Sequence, residues 1–141
     1  MENKTFYHEI LTDHNLHPAH KHDLHDADYV LEGVNPNCGD DIWLKVKIND
    51  GRIEQASFLG DGCAISQASA DMMLDLVIGK TKEDALRMTD LFLRMIQGET
   101  TESELEELEE ASVLQNVSHM PARVKCAVLG WHTLKEILEN E

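Results

Sequence analysis

The chain has 141 residues, with 12 Lys+Arg against 27 Asp+Glu and a formal net charge of −15. That charge excludes a sequence-independent nucleic-acid binder and disfavours an anionic membrane surface, since both need basic patches. Hydrophobic residues make up 42%, enough for one buried core, and one domain over residues 1–141 is expected. No apolar run approaches the roughly 20 residues of a membrane span. The start, Met-Glu-Asn-Lys, lacks a basic stretch followed by an apolar one, so a cytoplasmic protein is expected. Three cysteines in a reducing compartment do not suggest a disulfide framework.

In chain order, an N-terminal helix over residues 3–12 is expected first. A histidine-rich stretch follows, His8 to His25, holding six of the eight histidines. His20 with His22, or His14 with His17, has ligand-like spacing; the plainer expectation is a polar loop with its imidazoles in water. Residues 29–34 read as a strand. Ile42, Leu44, Val46 and Ile48 alternate with Trp43, Lys45 and Lys47, the period of a half-buried strand. Asn49-Asp50-Gly51 then turns the chain, because glycine accepts positive φ, and Ile53 to Leu59 runs back. Trp43 faces away from the apolar side, toward the N-terminal helix or a partner.

The second half reads as helical. Ile65, Ala68, Met72 and Leu76 form one stripe over Ala64–Ile78, with Gly79 as the stop. Thr81 caps a helix through Gln97, with Ala85, Met88, Phe92 and Met95 inward and Gly98 as terminator. From Glu102 to Glu110 six of nine residues are Glu; Leu105 and Leu108 between them suggest a solvated helix face. Pro121 opens the last helix, where a missing N–H costs nothing. Its buried stripe is Val124, Ala127/Val128, Trp131, Leu134 and Leu138. Strands first and helices after predict an α+β fold, a three-stranded antiparallel sheet packed against helices. Ser66 and Ser69 read as small residues for close packing.

The cysteines flank the hairpin. Cys38 lies in the loop before it and Cys63 after it, at a helix N-terminus. Folding the hairpin brings Cys38, Asp40 and Cys63 together, and one packed helix can add Cys126. Three thiolates and a carboxylate make a tetrahedral Zn²⁺ set, and a helix N-terminus favours the Cys63 thiolate. Arg123 and Lys125 stand beside Cys126 and can offset the charge. The other reading is three buried thiols with glycines for turns. With no CxxC pair, spacing leaves both open. No Ser/His/Asp arrangement, P-loop or GxGxxG is present.

Three segments, Asn35-Pro36-Asn37-Cys38-Gly39-Asp40, Gly62-Cys63-Ala64-Ile65-Ser66-Gln67-Ala68-Ser69 and Met120-Pro121-Ala122-Arg123-Val124-Lys125-Cys126-Ala127, resemble the signatures of the IscU/NifU N-terminal iron–sulfur cluster assembly family. They occur in the family's order and span nearly the whole chain. The long segment between Cys63 and Cys126, with room for a Glu-rich insertion, resembles the SufU branch. Lys125 stands where IscU-type scaffolds carry His. Asp13-His14 and Pro18 match the family's N-terminal motif, while Ala19 and His20 replace its Arg-Asn.

The resemblance implies a SufE/NifU-like fold and a zinc-dependent sulfurtransferase. It implies Zn²⁺ on Cys38, Asp40, Cys63 and Cys126, and a SufS-type pyridoxal-phosphate cysteine desulfurase as partner. On docking, a partner histidine would take the place of Cys38 at the metal. Cys38 would then accept persulfide sulfur, Arg123 would steer or stabilise it, and a SufBCD-type scaffold would receive it. The alternative implied function is a scaffold for a transient [2Fe–2S] cluster on the same ligands; a third is a zinc-stapled interaction module.

Overall fold

A computed structural model describes residues 2–36 and 38–140, with side chains from residue 8 onward. Asn37, within the first signature segment, lies outside the described residues, as do the side chains of the first residues of the N-terminal helix. The chain order is α1 (Glu2–Leu16), β1 (Tyr29–Asn35), β2 (Asp40–Asn49), β3 (Arg52–Asp61), α2 (Ala64–Val77), α3 (Lys82–Ile96), α4 (Glu102–Glu107), a 3-10 segment (Glu109–Val117) and α5 (Pro121–Glu139). The expected α+β architecture is present: a three-stranded antiparallel sheet in the order β1-β2-β3.

The hairpin follows from its sequence. Asp50 and Gly51 both have positive φ, 54° and 74°, as a tight two-residue turn between twisted strands requires. Ile42, Leu44 and Val46 are fully buried, while Trp43 between them is 41% exposed. On the outer side, Lys45 and Lys47 pair with Asp23 and Asp26 of the loop after α1. Trp43 was expected to face the N-terminal helix or a partner; α1 packs against α2 and the 3-10 segment, and the indole stays at the surface.

Helices α2 and α5 cover the sheet's apolar face, α3 backs onto α5, and α1 backs onto α2. Because α2 has neighbours on several sides, it is buried nearly all round rather than along one stripe, as expected for a central helix. Gly33 of β1 lets α5 approach: a Cβ there would stand 2.2 Å from Thr133 Oγ1. Trp131 of α5 stacks on Phe92 of α3 at 4.1 Å between centroids and 6° between planes. Its indole N–H donates to Ser69 Oγ (3.0 Å), and the Ser69 hydroxyl donates to Ala127 O (2.6 Å). Ser69 is thus a buried polar link between α2 and α5, beyond the packing role its size suggests.

The Glu-rich stretch is the main departure from expectation. Thr101 and Glu104 form a capping box for α4, but the helix ends at Glu107 and Glu109 adopts φ 51°. A 3-10 turn follows. Leu108, Ala111, Leu114 and Val117 are spaced by three and are all at most 1% exposed. A 3-10 helix repeats every three residues and places all four on one face; an α-helix would rotate them apart. No helix among the described residues is long and apolar enough to cross a membrane.

Candidate metal centre

The site lies at the open end of the hairpin, opposite its turn. The last residue of β1, Asn35, pairs with the first of β2, Asp40. Cys38 sits on the turn between them, exposed, its N–H donating to Asn35 O at 3.2 Å. Gly39 takes φ 71° to close this turn. Asp40, 1% exposed, points inward to the start of α2. Its Oδ1 accepts the Cys63 N–H (2.7 Å) and the Ser66 hydroxyl (3.2 Å), and its Oδ2 accepts Asn35 Nδ2–H (3.5 Å).

The chain after β3 passes close beside this carboxylate, and glycine permits it. Gly60 has φ 126°, and a Cβ would stand 1.9 Å from Asp41 O; at Gly62 a Cβ would stand 2.6 Å from Asp40 Oδ1. Cys63 then becomes the N-cap of α2, its Sγ accepting the Ser66 N–H at 3.4 Å. Cys63 Sγ lies 4.0 Å from Asp40 Oδ2. From α5, Cys126 enters 3% exposed, with Asn35 Nδ2 at 3.8 Å from its Sγ. Ligand atoms of Cys38, Asp40 and Cys126 lie within 4.8 Å of one another. Three of the four expected ligands, Cys38, Asp40 and Cys126, thus form one group, and Cys63 adjoins it through Asp40.

Their surroundings suit a cation. Asp40 is a buried carboxylate whose described donors (Cys63 N, Ser66 Oγ and Asn35 Nδ2) are all neutral. Burial pushes the Cys126 thiol far up from its ordinary range, and Asp40, Cys38 and Cys63 beside it add to the rise. Negative charge is costly here without a counter-ion. Thiolates with one carboxylate match the ligand preferences of zinc.

Arg123 and Lys125, expected to offset the charge, are both exposed. Among the described residues neither makes an ion pair. Arg123 instead lines a surface hollow with His8, Leu11, Thr12, Asn15, Leu16, Ala64 and Ile65. That places it on the rim, next to the first turn of α2. Asn35 and Ser66 touch the site, yet neither stands out as a site residue in the sequence. The signal was available in their positions: Asn35 faces Asp40 in register, and Ser66 is three residues past a helix N-cap.

A second polar cluster lies two turns along α2 from Cys63. His14 of α1 is buried; its Nδ1 is 2.6 Å from Asp71 Oδ2 and its Nε2 is 2.7 Å from Glu110 Oε1. The bond to Asp71 raises the imidazole pKa from 6.5 to about 9, against burial, with Glu110 adding to the rise. Burial alone would raise Asp71, but His14 and the backbone N–H groups of His20 and Ala19 outweigh it and hold its pKa low. The histidine-rich segment therefore divides. His22 and His25 are exposed, as expected of a polar loop, whereas His14 and His20 are tied to α2. Neither expected pair assembles as a ligand pair; among the described residues His14 groups with Asp75 and Glu110.

Residues 6–127 match the NifU-like N-terminal domain family. The chain is 43% identical over 134 residues to an iron–sulfur cluster assembly scaffold protein IscU of Streptococcus pyogenes serotype M1, covering 95% of this chain and 83% of the relative. It is 40% identical over 137 residues to the zinc-dependent sulfurtransferase SufU of Bacillus subtilis strain 168, covering 97% and 92%. Among solved structures, an iron–sulfur assembly scaffold protein for the SUF system from Fervidobacterium islandicum AW-1 superposes with a TM-score of 0.85 at 34% identity, covering 95% of this chain and 97% of that one. The chain belongs to the NifU-like N-terminal domain family of iron–sulfur cluster assembly proteins.

Proposed function

We propose that this protein is a zinc-dependent sulfur acceptor, taking persulfide sulfur on Cys38 from a SufS-type cysteine desulfurase and passing it to a SufBCD-type scaffold. The observation that carries this reading is the asymmetry of the three cysteines: Cys126 is buried, Cys63 half-buried and Cys38 exposed. Cys38 is the most exposed of the three and so the one best placed to meet a partner's persulfide. Cys38, Asp40, Cys63 and Cys126 would hold the zinc. Bound zinc would keep the thiols deprotonated at neutral pH and allow a ligand to exchange.

Cys38, as thiolate, attacks the outer sulfur of the donor persulfide. A new S–S bond forms on Cys38 Sγ, the donor's S–S bond breaks, and the donor cysteine leaves as its thiolate. No external oxidant or reductant is consumed. Asp40 stays fixed during this step by its bonds to Cys63 N and Ser66 Oγ, so the Cys38 turn can move while the rest of the site holds. Arg123, exposed beside the first turn of α2, would steer the anionic sulfur.

Two measurements test the reading: zinc content of the purified protein, and desulfurase turnover with and without it. About one zinc per chain with a large activation supports it. An iron–sulfur absorption band without activation supports the alternative of a transient-cluster scaffold; the Streptococcus relative is named an iron–sulfur cluster assembly scaffold protein. Tight zinc with neither effect supports a structural staple.

Asp40 separates exchange chemistry from stapling, because structural zinc sites are generally built from Cys and His alone. Asp40→Asn retains an oxygen to accept the Cys63 and Ser66 bonds, so the fold should lose only about 1 kcal/mol. Zinc retention against a chelator should fall by about tenfold or more, and sulfur transfer with it. Full activity in this variant would refute a role for the carboxylate.

A further inference from the structure

We propose that His14, His20, Asp75 and Glu110 form a second site for a borderline divalent cation such as Zn²⁺ or Ni²⁺, with Asp71 positioning His14. The cluster contains no thiol and is separate from the cysteine centre. Asp71 follows Cys63 by eight residues on α2, roughly 12 Å along the axis at 1.5 Å per residue.

Three ligands are already gathered. One ring nitrogen of His14 and one carboxylate oxygen each of Asp75 and Glu110 lie within 4.8 Å of one another. They come from α1, α2 and the 3-10 segment, so side chains far apart in sequence converge on one point. A fourth donor adjoins them: His20 Nε2 is 2.7 Å from Asp75 Oδ1.

The support behind His14 matches that of a metal-binding imidazole. Ligating histidines characteristically donate their other ring N–H to a carboxylate, which fixes the tautomer and raises ligand basicity. Here Nδ1 meets Asp71 Oδ2 at 2.6 Å, within a side-chain pair only 8% and 1% exposed. That leaves Nε2 toward Glu110. The same Asp71 also accepts the His20 backbone N–H at 2.9 Å. One buried carboxylate thus orients His14 and anchors the loop that carries His20.

The site is also accessible. The Asp75 and Glu110 side chains are 49% and 57% exposed, so a hydrated ion can enter. Two imidazoles and two carboxylates favour zinc-like ions over soft Cu(I), which prefers sulfur, and over Ca²⁺, which prefers all-oxygen shells. On binding, the ion takes the place of the His14 Nε2–Glu110 hydrogen bond, and any proton on Nε2 is released to solvent.

The test uses the full chain already loaded at the cysteine centre, titrated with Zn²⁺ and separately with Ni²⁺ by calorimetry. Metal content is measured after dialysis at fixed free ion. One additional ion per chain is expected. Glu110→Gln and Asp75→Asn, both at exposed positions, should each weaken it by about tenfold or more, and the double variant should abolish it. Cys38→Ser should leave this second event unchanged. Absence of a second ion at saturating free zinc overturns the proposal, and so does undiminished binding in the double variant, because the exposed histidines would then be responsible. A failure of sulfur transfer would not touch this result, since the readout is stoichiometry at a thiol-free site.

Discussion

Cys38→Ser is expected to abolish sulfur acceptance, by about three orders of magnitude or more, the scale seen when an attacking nucleophile is removed. Serine's hydroxyl stays protonated at neutral pH and has little affinity for sulfane sulfur, whereas a cysteine close to its pKa presents a thiolate. In the zinc-free protein stability should hardly change, while the zinc-loaded protein should lose whatever stability its Cys38 ligand lends through metal binding. Cys38 is exposed, and its one described backbone bond uses its N–H rather than its side chain, so the zinc-free cost should stay within about 0.5 kcal/mol. Cys126→Ser provides the contrast. That side chain is 3% exposed within α5, so placing a hydroxyl there should lower both metal retention and stability. Mass spectrometry after incubation with desulfurase and cysteine, with thiols alkylated, reads the outcome directly. If the Cys38→Ser protein still gains one sulfur atom, the acceptor is Cys63 or Cys126 and the assignment of Cys38 is wrong.

The hairpin and the meeting of its two ends were legible because a strand pattern repeats every two residues over a short span. Ile42, Leu44 and Val46 announce the buried face, Asp50-Gly51 announces the turn, and folding there necessarily brings Cys38, Asp40 and Cys63 to one end. The strands run beyond the alternation to include Asp40 and Asp61, because ladder hydrogen bonds are made by backbone and do not require apolar side chains. The 3-10 segment was harder to foresee. Its three-residue spacing is visible in Leu108, Ala111, Leu114 and Val117, but a period of three differs little from 3.6 over so few residues. Arg123 was read from its nearness to Cys126 in sequence: three residues apart on a helix the two share a face, but Arg123 lies in the exposed first turn of α5 and lines the hollow beside Ala64 and Ile65 rather than pairing with an acid. Least legible of all was Asp71. An aspartate among Ala70, Met72 and Met73 looks like a solvent-facing position on an amphipathic helix. It is buried only because α1, 57 residues earlier, brings His14 to meet it. Coupling across that separation depends on tertiary packing, which no local pattern encodes.

Asp71→Asn is expected to destabilise the fold by about 3 kcal/mol near pH 6, with a cost that shrinks as pH rises. Breaking one side of a buried charge pair leaves the other partner uncompensated, and such losses run at about 3–5 kcal/mol. The lower end is chosen because asparagine can still accept the His20 backbone bond and because Glu110 remains beside His14. The pH dependence follows from His14. Its folded pKa, about 9, lies above the unfolded 6.5, so its protonation stabilises the fold fully below pH 6.5 and this contribution is lost as pH rises through 9. The span of the shift, at about 1.4 kcal/mol per unit, sets an upper limit of roughly 3.5 kcal/mol. Solvent around the exposed Glu110 screens part of it, leaving about 2 kcal/mol. Urea unfolding of both proteins between pH 6 and 10, without added divalent ions, isolates this term: titrations at the cysteine centre occur in both and cancel in the difference. The gap should narrow from about 3 to about 1 kcal/mol across that range, with its midpoint between 6.5 and 9. A gap that stays constant would mean that His14 is neutral in the folded protein and that Asp71 acts only as a neutral hydrogen-bond acceptor holding α1 to α2.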